Sequence, residues 1–424
     1  MTRMKESGID WIGQIPEEWE VAKVNHIFEE HKQKNRGNKE KNLLSLSYGR
    51  IIRKSIDSSF GLLPESFDTY NIIQRGDIVL RLTDLQNDKR SLRVGLAREN
   101  GIITSAYLTL RLKNLESNDS YMYYLLHTYD ICKVFYNFGG GVRQGGTWSD
   151  IYKMELLIPP CNEQQKIADF LDKKTAQLDK AKALLEEQIQ KLKDYRASLI
   201  YETVTKGLDK TVPMKDSGID WIGQVPGGWG VKRLKDYVDF QTGTTPPQSI
   251  GVNQERKGVR WFKPGDFSDE SVDLTSAENY ITSEVVIQQK LSVYPEKTIL
   301  VVGIASIGKV GYSENHSYSN QQITALKMTG QIFPKYLAYL MFSSGQYIRE
   351  TALYTIVPII NNQYLSSLKI VLPNRVVQET IVEYLDKKIG QINKMIVIKN
   401  EQIKNINKQR QTLIYDYVTG KRRV

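Results

Sequence analysis

The segment IPPCNEQQKIADFLDKKTAQLD at residues 158–179 returns as LPNRVVQETIVEYLDKKIGQIN at residues 372–393, an offset of 214 positions. A second pair, MKESGIDWIGQIPEEWEV at 4–21 and MKDSGIDWIGQVPGGWGV at 214–231, is identical at 13 of 18 positions, far more than chance supplies. Repetition of this kind indicates an internal duplication, in which each half of the chain builds the same scaffold.

Each copy of the first segment predicts the start of a long helix. Residues 163–205 contain no Pro or Gly and are rich in Gln, Lys, Glu, Leu and Ala, which favour helix. Apolar residues recur there every seventh position, as on a coiled-coil seam. The predicted seam comprises Leu171, Leu178, Leu185, Leu192 and Leu199 in the first helix and Leu385, Ile392, Ile406 and Leu413 in the second, reinforced by Ala181, Tyr195 and Met395.

Such helices could each be the core helix of one globular domain. We instead expect them to pack against each other in antiparallel fashion, because two matched helices of about 65 Å each can bury their seams most simply in that way. The C-terminal tail near Val418 would then lie close to the opening segment at residues 4–21. Trp11, Trp19, Trp221 and Trp229 recur with the repeat, so they are expected to pack where a globular block meets a helix.

The blocks between the repeats share almost no identity, yet both follow the order strand, loop, strand, helix. The predicted strands are residues 78–84, 93–97 and 106–112 in the first block and 298–303, 309–313 and 322–328 in the second, followed by helices from Ser120 and from Phe333. The predicted fold class is therefore α+β: two mixed α/β heads held apart by two long antiparallel coiled-coil helices, with an internal pseudo-two-fold duplication. The expected domains are 1–158 (first head), 159–208 (first long helix), 209–372 (second head) and 373–424 (second long helix).

Composition narrows the functional class. Lys and Arg number 58 against 48 Asp and Glu, a formal charge of +10, which favours an anionic partner. Two cysteines and four scattered histidines offer neither a disulfide framework nor zinc-ligand spacing. No apolar run approaches the roughly 20 residues of a membrane span, and the start lacks a signal-peptide pattern. A cytoplasmic, metal-free protein is expected.

Polar and glycine-rich loops interrupt the strands of both heads at comparable places. Arg, Lys, Asn, Gln and Thr are the residues that bind base edges and phosphates, although any one of them could equally be part of a solvated surface loop. The DNA-binding candidates are Arg81, Lys89, Arg90, Arg143 and Gln144 in the first head and Thr244, Arg260, Lys263, Lys309, Asn320, Asn362 and Gln363 in the second.

The chain contains no recognisable catalytic motif. The run from Gly303 to Lys309 has the spacing of a phosphate-binding loop, but Val310 replaces the required Ser or Thr and the following residues continue as a strand. Methyl-donor, base-flipping, nuclease and metalloprotease patterns are likewise missing from the sequence. We therefore expect no catalytic residues and no cofactor bound by this chain.

Taken in order, these motifs resemble the specificity subunits of type I restriction-modification systems, over essentially the whole chain. The resemblance rests on SGIDWIG followed by Trp in each half, on the pattern P-x4-Q-x2-I that opens each long helix, and on QTGTTPPQ at Gln241, GIASIGKVGY at Gly303 and NQQITAL at Asn320. It implies two target-recognition domains, each reading one half of a bipartite site on double-stranded DNA. The paired helices would set the gap between the halves.

The same resemblance implies partners that supply the chemistry. Two modification subunits would carry S-adenosylmethionine and methylate adenine at N6, and two restriction subunits would carry the ATP- and Mg²⁺-dependent translocase and nuclease. The chain would be a subunit of that methyltransferase and endonuclease complex without being catalytic itself. The alternative from another class is a coiled-coil scaffold whose heads bind proteins or glycans and have no DNA role.

Overall fold

The computed structural model describes residues 3–54, 66–88, 90–114, 116–139, 145–246, 257–289, 291–354 and 358–424. The chain divides into two compact units, unit 1 with Met1–Leu185 and Asn400–Val424, and unit 2 with Glu186–Lys399. Each unit thus contains one head and a part of both long helices.

Unit 1 is a mixed head followed by the start of the first long helix. Its strands are β1 (Met4–Glu6), β2 (Gln14–Pro16), β3 (Glu20–Lys23), β4 (Phe28–Glu30), β5 (Leu44–Ser47), β6 (Arg50–Arg53), β7 (Asn71–Ile73), β8 (Ile78–Leu80), β9 (Val94–Leu96), β10 (Gly101–Ile103), β11 (Leu108–Leu112) and β12 (Glu155–Ile158). Its helices are α1 (Val24–Ile27), α2 (Asp119–Ile131), α3 (Trp148–Ile151) and α4 (Cys161–Lys206), of which the last continues into unit 2.

Unit 2 repeats that plan. Its strands are β13 (Met214–Asp216), β14 (Gln224–Pro226), β15 (Gly230–Arg233), β16 (Val238–Thr242), β17 (Val259–Phe262), β18 (Asn279–Ile281), β19 (Thr298–Val302), β20 (Val310–Ser313), β21 (Ser317–Ser319), β22 (Ile323–Met328), β23 (Leu353–Tyr354), β24 (Pro358–Ile359) and β25 (Lys369–Leu372). Its helices are α5 (Ser283–Gln288), α6 (Pro334–Ser343), α7 (Gly345–Thr351), α8 (Asn362–Ser367) and α9 (Arg375–Val418), of which the last ends in unit 1.

A four-stranded antiparallel sheet forms the centre of each head. Its order is β4-β11-β8-β9 in unit 1 and β16-β22-β19-β20 in unit 2. The strands predicted from alternation are therefore present and are equivalent in the two units, although each is shorter than or equal to its predicted range. The α+β duplication predicted from the sequence is confirmed.

One face of each sheet is buried by apolar residues of both long helices and of one shorter helix, here named the head helix, which is α2 in unit 1 and α6 in unit 2. In unit 1, Leu125 of α2, Leu171 of α4 and Val418 of α9 belong to the same core as Ile78 and Leu110. The equivalent core of unit 2 contains α6, the start of α9 and the end of α4. The start of one long helix and the end of the other thus complete each head.

The predicted helix from Ser120 is interrupted. The helix α2 ends at Ile131, and Lys133 has φ 62°, a left-handed conformation that an α-helix cannot contain. A short 3₁₀ turn, Val134–Asn137, follows. Helix α4 agrees more closely with its prediction, since it begins two residues before Glu163 and ends one residue after Thr205.

Within each unit the two long helices run antiparallel. In unit 1, the rings of Phe170 and Tyr417 lie 4.5 Å apart, and Asp179 lies 3.8 Å from the Nε of Arg410. Residues with higher numbers on α4 therefore contact residues with lower numbers on α9. In unit 2, Lys399 donates to Gln188 at 2.6 Å and Arg196 donates to Asn393 at 2.6 Å, in the same sense. The antiparallel pairing expected from the seams is present in both units.

Burial along the predicted seam is uneven. Leu171, Leu385 and Ile392 are buried, whereas Leu178, Leu185, Leu192, Leu199, Ile406 and Leu413 are half-buried. Tyr195 and Met395 are exposed, so the prediction that they reinforce the seam is wrong. A straight helix drifts about 20° per heptad against a strict seven-residue repeat, which brings Ile189, Arg196 and Ile200 inward in place of the later leucines.

The opening segment of each half packs where it was predicted to pack. Trp19 is buried, its indole N–H donates to Glu163 at the start of α4, and Trp229 is likewise buried in unit 2. Trp11 lies edge-on to Tyr129, and Trp221 stacks on Tyr347. The repeated tryptophans therefore pack within the head and against the helix, as expected.

Candidate nucleic-acid interface

A buried glutamine in each half holds the head helix against the long helix. The side-chain amide of Gln164 donates to the carbonyl of Pro159 at 2.9 Å and accepts from the backbone N–H of Asn118, the N-cap of α2, at 3.0 Å. Gln378 makes the same pair of bonds, to Pro373 at 2.9 Å and from Phe333 at 2.7 Å. This duplicated joint explains the P-x4-Q pattern, because a backbone donor and a backbone acceptor are satisfied by one side chain.

The LDKK run supplies a second duplicated joint. Asp172 accepts from the hydroxyl of Tyr124 at 2.7 Å, and Asp386 accepts from the hydroxyl of Tyr339 at 2.6 Å. Burial, together with the neighbouring carboxylate, raises the pKa of both tyrosines well above the usual range, so each remains a neutral donor. The glutamine and the aspartate of each long helix thus both help to fix the head to that helix.

Unit 1 buries a titratable group beside this joint. His127 of α2 is 2 % exposed, and its Nδ1 has no hydrogen-bond partner among the residues that the structure describes. Burial lowers the pKa of His127 to about 4, with the positive charge of Arg410 acting in the same direction. The imidazole is therefore neutral near pH 7.

Those predicted DNA-binding residues that the structure describes lie mainly at one end of each four-stranded sheet, here named the loop end. In unit 1 it is the end where β8 passes into β9, and in unit 2 the end where β19 passes into β20. The backbone joins equivalent loops there: Gly146 donates to the carbonyl of Leu82 at 2.7 Å, and Ile360 donates to that of Gly303 at 2.9 Å. The same position in each head therefore holds loops of unrelated sequence.

At the loop end of unit 1, residues 81–88 and 90–92 form a polar loop. Arg90 is exposed, whereas the half-buried Arg81 forms an ion pair with Asp88 at 2.5 Å. Hydrogen bonds from Ser91 and Arg90, and the charge of Arg81, hold the pKa of Asp88 well below its usual range. The predicted residues Lys89, Arg143 and Gln144 lie outside the described residues.

At the loop end of unit 2, hydrogen bonds hold three predicted residues: Thr244 in the loop after β16, Asn320 between β21 and β22, and Asn362 at the start of α8. The backbone N–H of Thr244 donates to Ser319 at 2.8 Å, that of Asn320 donates to Phe262 at 3.1 Å, and the side chain of Asn362 accepts from Thr324 at 3.1 Å. Thr244 is exposed, while the amide of Asn320 is buried and bonded to Gln322. Gln363, the next residue of α8, is exposed.

A polar cavity of about 200 Å³ opens beside Thr244. Its lining offers amides and hydroxyls with few apolar groups, the chemistry that recognises base edges. The lining residues are Gln241, Thr242, Thr244, Gln289, Leu291, Ser292, Tyr294, Tyr318 and Ser319.

The remaining basic candidates are partly engaged within the protein. Arg260 is half-buried on β17, and Lys263 pairs with Glu278 at 2.9 Å. Lys309 lies 3.7 Å from Asp269 and lines a cavity together with Ser198 of α4, so its side chain lies apart from the group around Thr244. These three residues lie in the same head but do not form one cluster.

The run resembling a phosphate-binding loop is a turn between strands. The backbone N–H of Gly303 donates to Gln322 at 2.8 Å and that of Gly308 donates to Val302 at 3.2 Å, so these donors are not available to a phosphate. Lys309 precedes β20 instead of opening a helix. The structure agrees with the strand and turn expected from the sequence.

Among the described residues, no group of three His, Cys, Asp or Glu side chains is placed to hold a metal ion. Over the same part of the chain, no helix combines the length and the apolarity that crossing a membrane requires.

A family model described as "Type I restriction modification DNA specificity domain" matches the chain twice, over residues 16–193 and 226–405. The specificity subunit of the MjaVIII type I restriction enzyme of Methanocaldococcus jannaschii is 22 % identical over 437 residues, covering 97 % of this chain and 94 % of the relative. These matches give no support to a protein- or glycan-binding scaffold.

Two solved structures share the fold. A chain from work on complex assembly and conformational transition of the type I R-M system has a TM-score of 0.71 and 17 % identity, over 95 % of this chain and 98 % of that one. The HsdS subunit from Thermoanaerobacter tengcongensis has a TM-score of 0.50 and 17 % identity, over 96 % of this chain and 98 % of that one.

Proposed function

The chain belongs to the family of type I restriction-modification DNA specificity subunits, whose model covers most of both halves, and we propose that each of its units reads one half of a bipartite DNA sequence. The observation that carries this proposal is the loop end, where two equivalent sheets present loops of unrelated sequence. A duplicated scaffold with different loops suits the recognition of two different half-sites.

We infer contacts of two kinds at each loop end. Exposed amides and hydroxyls, such as those around Thr244, have the chemistry for base edges, while exposed basic groups such as Arg90 suit phosphates or guanine. The excess of 58 basic over 48 acidic side chains supports binding to an anionic duplex.

The long helices have the second role in this proposal. Their pairing would set the gap between the half-sites and provide the surface to which partner subunits dock. We propose two modification subunits, which use S-adenosylmethionine to methylate adenine, and two restriction subunits, which use ATP and Mg²⁺. Catalysis would then belong to the partners, and this chain would contribute sequence selection.

Methylome sequencing of cells that express the chain with its modification partners tests the proposal. Two different readers should give one asymmetric bipartite motif, with an adenine methylated in each half. A symmetric motif, or adenine methylation without a motif, would contradict it. In vitro, the affinity of the complex for duplex DNA should fall steeply as salt rises, because phosphate contacts release counterions.

A further inference from the structure

Arg93 is a buried arginine with an unusual set of partners. It is 0 % exposed and lies directly before β9, where the loop of residues 81–88 and 90–92 ends. Its Nη1 donates to the carbonyls of Arg81 at 3.0 Å and Thr83 at 2.7 Å, and its Nη2 donates to those of Asp84 at 3.3 Å and Asp88. One guanidinium therefore binds four main-chain carbonyls of a single loop.

The remaining contacts hold Arg93 itself in place. Its Nε donates to the hydroxyl of Tyr136 at 3.0 Å, and the guanidinium lies 5.1 Å from the centre of that ring. Its backbone N–H donates to the carboxylate of Asp130 in α2 at 2.6 Å, and its carbonyl accepts from the N–H of Arg81 at 2.9 Å. The head helix thus fixes the arginine, and the arginine fixes the loop.

These contacts turn some residues of the loop toward the protein interior and leave others exposed to solvent. Leu82 and Leu85 are buried, and the four bonded carbonyls face the guanidinium. Gln86, Asn87 and Arg90 are exposed at the tip. A loop held in one conformation loses little conformational freedom on binding, which improves both affinity and selectivity.

The equivalent position of unit 2 is built differently. Lys309 ends the turn after β19 as Arg93 ends the loop after β8. The carbonyl of Lys309 accepts from the N–H of Val302, the last residue of β19, and the carbonyl of Arg93 accepts from the N–H of Arg81, the residue after β8. The Nζ of Lys309 donates to the carbonyl of Phe267 at 3.4 Å, outside that turn. The arginine-centred loop therefore belongs to the non-repeated content of unit 1.

We propose that the loop of residues 81–88 and 90–92 is a preformed base-reading loop, that Gln86, Asn87 and Arg90 determine specificity at its tip, and that Arg93 is its positioning residue. This inference rests on the proposed function, in which unit 1 reads one half-site. Gln and Asn amides bind adenine and Arg binds guanine, so the tip has the groups for direct readout. Lysine cannot replace Arg93, because its single ammonium lacks the planar fork that reaches four carbonyls.

The test uses the assembled complex with its partner subunits and measures discrimination between the cognate duplex and duplexes with one mismatched base pair in either half-site. In R93K and R93M, discrimination in one half-site should fall from the usual range of roughly tenfold to a hundredfold toward onefold. Discrimination in the other half-site should stay unchanged. R98M is the matched control, since Arg98 lies at the opposite end of β9 and pairs with Asp172.

A second variant distinguishes an effect of the loop from misfolding of the Arg93 variants. The double substitution Gln86→Ala and Asn87→Ala removes exposed side chains and should relax the same half-site as R93K, with unchanged thermal stability. Full discrimination in this variant, or in both Arg93 variants, would overturn the proposal, as would equal loss in both half-sites. If the unsubstituted complex discriminates in neither half-site, the proposed function itself fails and this inference fails with it.

Discussion

Gln164 and Gln378 show how one side chain can connect two elements of a fold. Each accepts from the N-terminal end of a head helix and donates to the proline that precedes a long helix. Both are almost fully buried, at 2 % and 1 % exposure. Two backbone groups in each half would lose this hydrogen-bond partner if the amide were removed.

The variant Gln164→Met should therefore lower the free energy of unfolding by about 2–4 kcal/mol, because two backbone groups lose their partner. Gln165→Met is the matched control: Gln165 is the next residue and is exposed, so its loss should change stability by about 0.5 kcal/mol or less. Urea denaturation of the two variants measures the difference. Equal stability of the two would show that the buried amide is not the joint.

His127 predicts an acid-sensitive stability. In the unfolded chain it takes up a proton near its ordinary pKa of about 6.5, whereas in the folded protein burial lowers the pKa to about 4. Acidification between these values therefore favours the unfolded state, and stability is restored as the pH rises through the same window. The cost attributable to His127 at pH 4 is roughly 3 kcal/mol.

Replacing His127 with Phe should remove this part of the pH dependence. The free energy of unfolding, followed from pH 7 to pH 4, should fall less steeply in the variant than in the original protein. Tyr123→Phe, a change to a neighbouring ring in the same helix, serves as control and should leave the slope as it was. Parallel curves for His127→Phe and the original protein would contradict the low pKa.

Individual contacts were the part that the sequence could least predict. The P-x4-Q pattern was visible, but its role depends on which backbone groups the fold brings within 3 Å of the amide. Arg93 had no signal of its own, because an arginine beside a polar loop reads as surface and its four carbonyl partners carry no sequence signature. Its position as the first residue of a predicted strand was the only available clue.

At the scale of elements, periodicity predicted much more. The strands around Ile78, Val94 and Leu108 follow from alternation. The first long helix follows from the absence of Pro and Gly, and the second from its repeat of the first. The hairpin of β5 and β6 and the sheet β18-β17-β21 were not predicted, since their short strands lack a clear pattern. The seam was predicted in outline, but helical drift changed which residues are buried in its later turns.

Two polar pairs mark the register of the long helices, Asp179 with Arg410 in unit 1 and Gln188 with Lys399 in unit 2. Polar residues on a seam commonly specify register. A change in helix length should therefore keep both pairs.

Deleting residues 181–187 together with 401–407 removes one heptad from each helix between those pairs. The helices become about 10 Å shorter, which corresponds to about three base pairs of duplex. Methylome sequencing should show a shorter spacer between the two halves of the recognition motif, or no methylated motif if the complex fails to assemble. Deleting only 181–187 is the control and should abolish assembly, because the pairs can no longer both form. An unchanged motif in the double deletion would refute the spacer role.

At the scale of the molecule, the chain closes on itself within unit 1. Lys421 donates to the carbonyls of Ile12 and Gln14 at 2.8 and 2.9 Å, and Arg423 pairs with Glu18 and Glu163 at 2.5 and 2.8 Å. The close approach of tail and opening segment predicted from the duplication is confirmed. The last residues of the second repeat thereby complete the first head.

Removing residues 420–424 should destabilise the protein by about 2 kcal/mol, because these bonds are lost and two carbonyls near the opening segment are uncovered. Removing Val424 alone is the control and should have little effect, since its side chain is exposed. Thermal unfolding measures both. Equal melting temperatures would mean that the tail contributes nothing to the head.

Exchanging one head tests whether each head reads its own half-site. Residues 22–158 would be replaced with the corresponding block of another specificity subunit, leaving both long helices and unit 2 unchanged, and the methylome of cells carrying the complex would be sequenced. We expect a new motif in which one half and only that half has changed, with the spacer preserved. A motif in which both halves change together, or neither does, would contradict it.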